Sequence, residues 1–251
     1  MSTHRLAIVT GTSSGIGHEL ARQLLSRGWH VVGMARRAVS MNHPDYVHFA
    51  TDIGEVTQLG ERLDAQLGPL VSGATISRVA LVNNAADVAL LGQVDQLDPA
   101  RMLRAYAVNT IAPVLLMGWV VRSTPLRIPI RIVNVSSGAA VEAFPGLGAY
   151  AATKAALRMA GMVLATELDV RAASGTQRDV SIWSYEPGIV ETPMQEAVRA
   201  STAEMVPIVA VFQQLAAEGR VLPVSAPVGA IITHVETDGH PRFSEQRFLL
   251  S

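Results

Sequence analysis

Short apolar runs and longer amphipathic ones alternate along the chain. Leu6-Ala7-Ile8-Val9 precedes a helical pattern over 16–25, and Val31-Val32 precedes a turn. The run 79–82 precedes a helical stretch over 102–121, and 130–135 precedes another over 150–170, before a last apolar run at 180–183. Such alternation predicts β-α-β units, hence a parallel sheet with helices on both faces. In the first helical pattern Ile16, Leu20 and Leu24 recur at four-residue spacing beside Ala21 and Leu25, so one stripe faces the sheet. No Ser/Pro/Gly-rich linker and no internal repeat interrupts the order. Residues 1–251 therefore predict a single α/β domain, a doubly wound parallel sheet of Rossmann type.

Composition narrows the partners. The chain is 49% hydrophobic and 16% charged with a formal net charge of −1, which suits a globular protein with a sizeable core. No basic stripe offers a site for nucleic acid or an anionic membrane. The apolar stretch 114–121 is too short to cross a bilayer. Cysteine is absent, which excludes disulfides and thiolate chemistry and fits a reducing, cytoplasmic setting. The seven histidines are scattered without a His-Glu-x-x-His pattern, so no metal site is expected. A small molecule is the expected partner.

The candidate chemistry begins directly after the first strand, at Thr10-Gly11-Thr12-Ser13-Ser14-Gly15-Ile16-Gly17. Glycines there allow a sharp turn and close approach of a pyrophosphate, and the open N–H groups of the following helix favour its charge. After the second strand comes Arg36-Arg37, where an acidic residue would bind a ribose 2′-hydroxyl and an arginine a 2′-phosphate. NADP(H) is thus the expected cofactor. Asp52, with Ile53 beside it, is placed to receive the adenine amino group, although Asp is also a turn former.

Tyr150 and Lys154 lie four apart on a helical pattern and project from one face. Ser136-Ser137 ends a strand, Asn83-Asn84-Ala85-Ala86 ends an earlier one, and Asn109 interrupts an apolar helix. Strand C-termini are where open α/β sheets bind ligands. Hydride arriving at a carbonyl leaves charge on oxygen, which calls for a proton donor and a second hydrogen bond. A lysine cation beside a phenol favours the phenolate left after donation.

The ordered set Thr-Gly-x-x-x-Gly-x-Gly, Asn-Asn-Ala, helical Asn, strand-end Ser, Tyr-x-x-x-Lys and Pro-Gly-x-x-x-Thr resembles the short-chain dehydrogenase/reductase family over nearly the whole chain. The resemblance implies catalysis by Ser137, Tyr150, Lys154 and Asn109, with Asn109 anchoring a water and Lys154 also holding the nicotinamide ribose. It implies cofactor contacts from the glycine turn, Asn84, Ala85, Pro187, Gly188, Ile189 and Thr192. Within the family the chain is similar to the sepiapterin reductase and benzil reductase group, through Asn109 to Leu116, Ser136 to Ala140, and Pro187 to Gln195. The place of the pterin-anchoring carboxylate falls on Arg242, which argues against a pterin.

The expected activity is NADPH-dependent reduction of a small ketone or α-dicarbonyl, bound against Phe144, Leu147, Met194 and Met205. An NAD-linked alcohol dehydrogenase and a non-catalytic nucleotide sensor are the alternatives. Residues 191–219 are expected to form a flap over the substrate. The apolar helices over 102–121 and 159–170 exceed what one sheet face buries, so a homodimer or homotetramer is expected.

Overall fold

The computed structural model describes residues 4–73, 75–88 and 90–248. Its strands are β1 (His4–Thr10), β2 (Trp29–Ala35), β3 (Tyr46–Ala50), β4 (Ile76–Asn83), β5 (Ile130–Val135), β6 (Val180–Glu186) and β7 (Phe243–Arg247). They form one sheet in the order β3-β2-β1-β4-β5-β6-β7, and every neighbouring pair is parallel. The order reverses between β1 and β4, and this switch point opens a crevice at the strand C-termini.

Pleating divides β1 between two cores. Leu6 and Ile8 join Leu81, Trp119, Ile132 and Leu157 on one face. Ala7 and Val9 join Leu20, Leu24, Trp183 and Ile231 on the other. Helices α1 (Gly15–Ser26) and α9 (Ser225–Glu236) cover the second face. The first is covered by α2 (Val56–Gln66), the short α3 (Gly68–Val71), α5 (Ala112–Ser123) and α6 (Gly148–Ala173). The single doubly wound sheet expected from the alternation is what the chain forms.

The helical stretch expected over 102–121 lies within one continuous helical run, Pro99–Ser123, that carries a π-turn near its middle. Helix α4 (Pro99–Tyr106) starts at Asp98, whose carboxylate accepts from the Arg101 N–H at 2.9 Å, and a π-turn at Ala107–Ile111 joins it to α5. The continuous run Pro99–Ser123 is long and apolar enough to cross a bilayer by length and composition, and 56% of that window is buried inside the protein. Core helices pass the same test.

Candidate active site

Gly11 and Gly15 adopt φ of +76° and +59°, a region closed to most side chains. Together they turn the chain from β1 into α1. Ser14, the residue before α1, is extended and makes no side-chain cap, so the first helical N–H groups are left to a ligand. Gly11, Ser13, Ser14, Gly15 and Ile16 all line the crevice. Gly17, expected among them, does not. A Cβ there would stand 2.5 Å from both Asn84 Nδ2 and the Gly11 carbonyl oxygen, so this glycine permits close helix–loop packing instead. Asn84 does double duty: it lines the crevice and donates from Nδ2 to the Thr10 carbonyl at 2.9 Å. Thr10 Oγ1 accepts from the Asn84 and Ala85 N–H groups at 2.9 and 3.0 Å, tying β1 to β4.

At the adenosine end the two arginines part. Arg37 Nη2 donates to Ser13 Oγ at 3.1 Å, whereas Arg36 Nη1 lies 3.9 Å from Asp52 Oδ2. Arg104 reaches down from α4 and donates to both Asp52 oxygens at 2.8 and 2.7 Å. Burial alone would raise the Asp52 carboxyl, but Arg104, the Gly54 N–H and Arg36 outweigh it and hold the group below its usual range. Asp52 and Ile53 face the crevice as expected, yet the carboxylate meant for adenine is already engaged. Arg104 went unseen in the sequence. Its approach depends on Gly54, whose Cβ would stand 2.3 Å from Arg104 Nη1, and no local pattern signals that.

At the reacting centre, β5 delivers Ser137 and the first turns of α6 deliver Tyr150 and Lys154 to one cavity of about 750 Å³. Ser137 Oγ accepts from the Ala139 N–H at 3.2 Å, which leaves its own proton free to donate. Lys154 Nζ donates to the Val135 carbonyl at 2.8 Å and sits 5.8 Å from the centre of the Tyr150 ring. Burial pushes the Tyr150 phenol up to about 12, opposed by the nearby Ser137 hydroxyl. Burial brings the Lys154 ammonium down to about 8. Lys154 is the only lysine in the sequence, since nineteen of the 20 basic residues are arginine.

Asn109 sits in the π-turn, fully buried. Its Oδ1 accepts from the Asp87 N–H at 2.6 Å, and its Nδ2 donates to the Asp87 carbonyl at 2.8 Å and to Thr153 Oγ1 at 3.3 Å. With both side-chain atoms engaged, the amide positions the loop after β4 against α6 and does not itself line the cavity.

Pro187, Gly188, Ile189 and Thr192 line the cavity beyond β6, and Phe144, Leu147 and Met194 wall the substrate end. Met205 does not. It is 39% exposed, and its carbonyl packs against Gly146. Helices α7 (Pro193–Arg199) and α8 (Val209–Ala217) supply Val198, Phe212 and Leu215 in its place. Arg242, where the resemblance puts the pterin anchor, does not line the cavity: next to the N-terminal end of β7 it pairs with Asp169 at 3.0 Å and donates to the Arg178 and Val180 carbonyls. The β7 residue that lines the cavity is Arg247, in company with Glu142 and Glu186.

A switch-point crevice with an anion-binding turn at one end and a Ser-Tyr-Lys constellation at the other defines a nicotinamide-dependent oxidoreductase. The comparisons agree. The family pattern described as short chain dehydrogenase matches residues 5–203. A benzil reductase ((S)-benzoin forming) of Bacillus cereus is 28% identical over 246 residues, spanning 95% of this chain and 96% of that protein. Sepiapterin reductase of Bos taurus is 28% identical over 217 residues, covering 79% and 78%. A short-chain dehydrogenase/reductase of Saccharomyces cerevisiae shares the fold with a TM-score of 0.80 at 24% identity, over 96% of this chain and 95% of that one. The chain belongs to the short-chain dehydrogenase family, whose members bind NAD or NADP.

Proposed function

We propose that the chain reduces a small ketone or α-dicarbonyl with NADPH, and that Tyr150 gives the proton. The observation carrying this reading is that Ser137, Tyr150 and Lys154 share one cavity with the glycine turn and the Arg37–Ser13 pair. The residues fit the cofactor. Open N–H groups at α1 suit a pyrophosphate, and a guanidinium held beside a hydroxyl at the ribose end suits a 2′-phosphate, with no acid following β2 to prefer the 2′-hydroxyl. When bound, the reduced nicotinamide supplies hydride to the carbonyl carbon. The chain's own part is to hold and protonate the oxygen. Ser137 donates one hydrogen bond to it, Tyr150 transfers its proton to the developing alkoxide, and the Lys154 cation stabilises the phenolate that remains.

Burial raises the Tyr150 phenol, so at neutral pH it carries the proton that a reduction consumes. The most similar relatives reported above include a benzil reductase, which supports a dicarbonyl substrate. We further read residues 191–219 as a flap. Its helices lie over the substrate end, and Gly188 and Gly219 at its borders hold φ of +79° and +68°. Protection of this segment from protease by NADPH tests that reading. Exposed Leu103, Ile111, Leu115, Met159, Val163 and Val170 on α4 to α6 support a homodimer or homotetramer, to be read by light scattering. The cysteine-free composition supports a cytoplasmic setting.

The test is a panel of diketones, aldehydes, quinones and steroids assayed with NADPH and with NADH. We expect diketone reduction with kcat/KM at least about tenfold higher for NADPH, as befits one charge-assisted hydrogen bond. Equal use of both overturns the cofactor assignment, and no reduction of any carbonyl overturns the reductase.

A further inference from the structure

Strand β7 pairs in parallel with β6, and the register sets Arg247 opposite Glu186 at the C-terminal edge of the sheet. Arg247 Nε lies 2.9 Å from Glu186 Oε1. Gly138, the residue after Ser137, provides the room: a Cβ there would stand 3.0 Å from Glu186 Oε1 and 3.7 Å from Arg247 Nη2. The ion pair therefore packs against the backbone beside the catalytic serine, in the wall of the same cavity.

The pair is asymmetric. Glu186 has a side-chain exposure of 18%, whereas Arg247 stands at 56%. Arg247 Nη1 faces Glu142 Oε1 at 3.9 Å, too long for a hydrogen bond, and among the described residues no acceptor pairs with Nη2. One edge of the guanidinium is held, and the other offers its N–H groups at a substrate end otherwise walled by Phe144, Leu147, Met194 and Phe212. Two carboxylates and one guanidinium leave this cluster with net negative charge. An anionic substrate group is disfavoured there, while a neutral acceptor oxygen meets an available donor.

We propose that Arg247 determines specificity by donating a hydrogen bond to a second, non-reacting carbonyl oxygen, so that the site selects dicarbonyls over monoketones, with Glu186 as its positioning residue. The proposal rests on the carbonyl-reductase reading above and extends it to a residue and a substrate feature. Arg247 lies on an edge strand and is more than half exposed, so its replacement leaves the core intact.

The test uses the full chain with NADPH and two substrates sharing a skeleton: benzil, and deoxybenzoin, in which one carbonyl is replaced by a methylene. In Arg247→Met the ratio of kcat/KM for benzil to that for deoxybenzoin falls about tenfold, the worth of one hydrogen bond to a charged donor. In Glu186→Gln the ratio falls less, through KM for benzil rather than kcat. A purely structural role lowers both substrates alike, so a ratio that stays at the wild-type value in Arg247→Met overturns the proposal. So does a wild-type preference for benzoylformate, whose second group is a carboxylate, over benzil. If the wild type reduces neither benzil nor deoxybenzoin, this proposal falls, and the reductase reading falls with it only when no carbonyl of the wider panel is reduced.

Discussion

At its cofactor end the cavity is lined by the Gly11–Gly15 turn and by residues just after β2, β3 and β4, short segments tied to strand tips, while the residues walling its substrate end come from later in the chain. Those residues belong to the loop after β5, to α7 and α8, and to β7, spread from Ser136 to Arg247 along the chain. The two ends meet at Tyr150. A turn held by glycines at positive φ depends on chain geometry and suits the phosphates that nicotinamide dinucleotides share. Walls of side chains can be exchanged without disturbing the sheet, and that is where specificity resides.

The largest break in this division comes at the junction. Lys154→Met should lower kcat about a thousandfold, because no other lysine exists to stabilise the phenolate; single-turnover rates at saturating NADPH check it. Arg37→Ala should act on the cofactor end alone. It should raise KM for NADPH on the order of tenfold with KM for NADH nearly constant, as loss of one charge-assisted phosphate contact predicts. Phe212→Ala should do the converse, raising KM for aromatic diketones severalfold with NADPH binding unmoved, since it removes an apolar ring that α8 contributes to the cavity lining.

The smallest effect concerns stability. Lys154 has its pKa brought down from 10.5 to about 8 by burial, so between these values the unfolded chain holds the extra proton and stability rises with pH. Below pH 8 the penalty of the buried cation is fully present. Lys154→Met removes it, offset by the Val135 carbonyl losing its donor. The ligand-free variant should therefore melt a few degrees higher than wild type at neutral pH, with the gain shrinking toward pH 10. A gain that grows with pH would show that the lysine is not buried as a cation.

The same contrast explains what the sequence revealed. The glycine turn, the arginines after β2 and the Tyr150–Lys154 spacing are local patterns whose geometry follows from strand–turn–helix context, and they stand where expected. Gly17 matches the turn by residue type, but the helix carries it into packing against Asn84. Met205, expected against the substrate, lies outside the cavity, because no local pattern fixes which part of 191–219 faces inward. Strand β7, Phe-Ser-Glu-Gln-Arg, has no apolar run because it is an edge strand. The Arg104–Asp52 pair and the Arg247–Glu186 pair each join residues more than fifty apart, each packs against a glycine, and both appear only once the chain is folded.

The central claim, that the Tyr150 phenol passes its proton to a carbonyl oxygen, is tested most directly in Tyr150→Phe by measuring NADPH affinity and benzil turnover on the same preparation. The account predicts NADPH binding close to wild type and turnover lower by about a thousandfold. Turnover within tenfold of wild type, with binding intact, contradicts it.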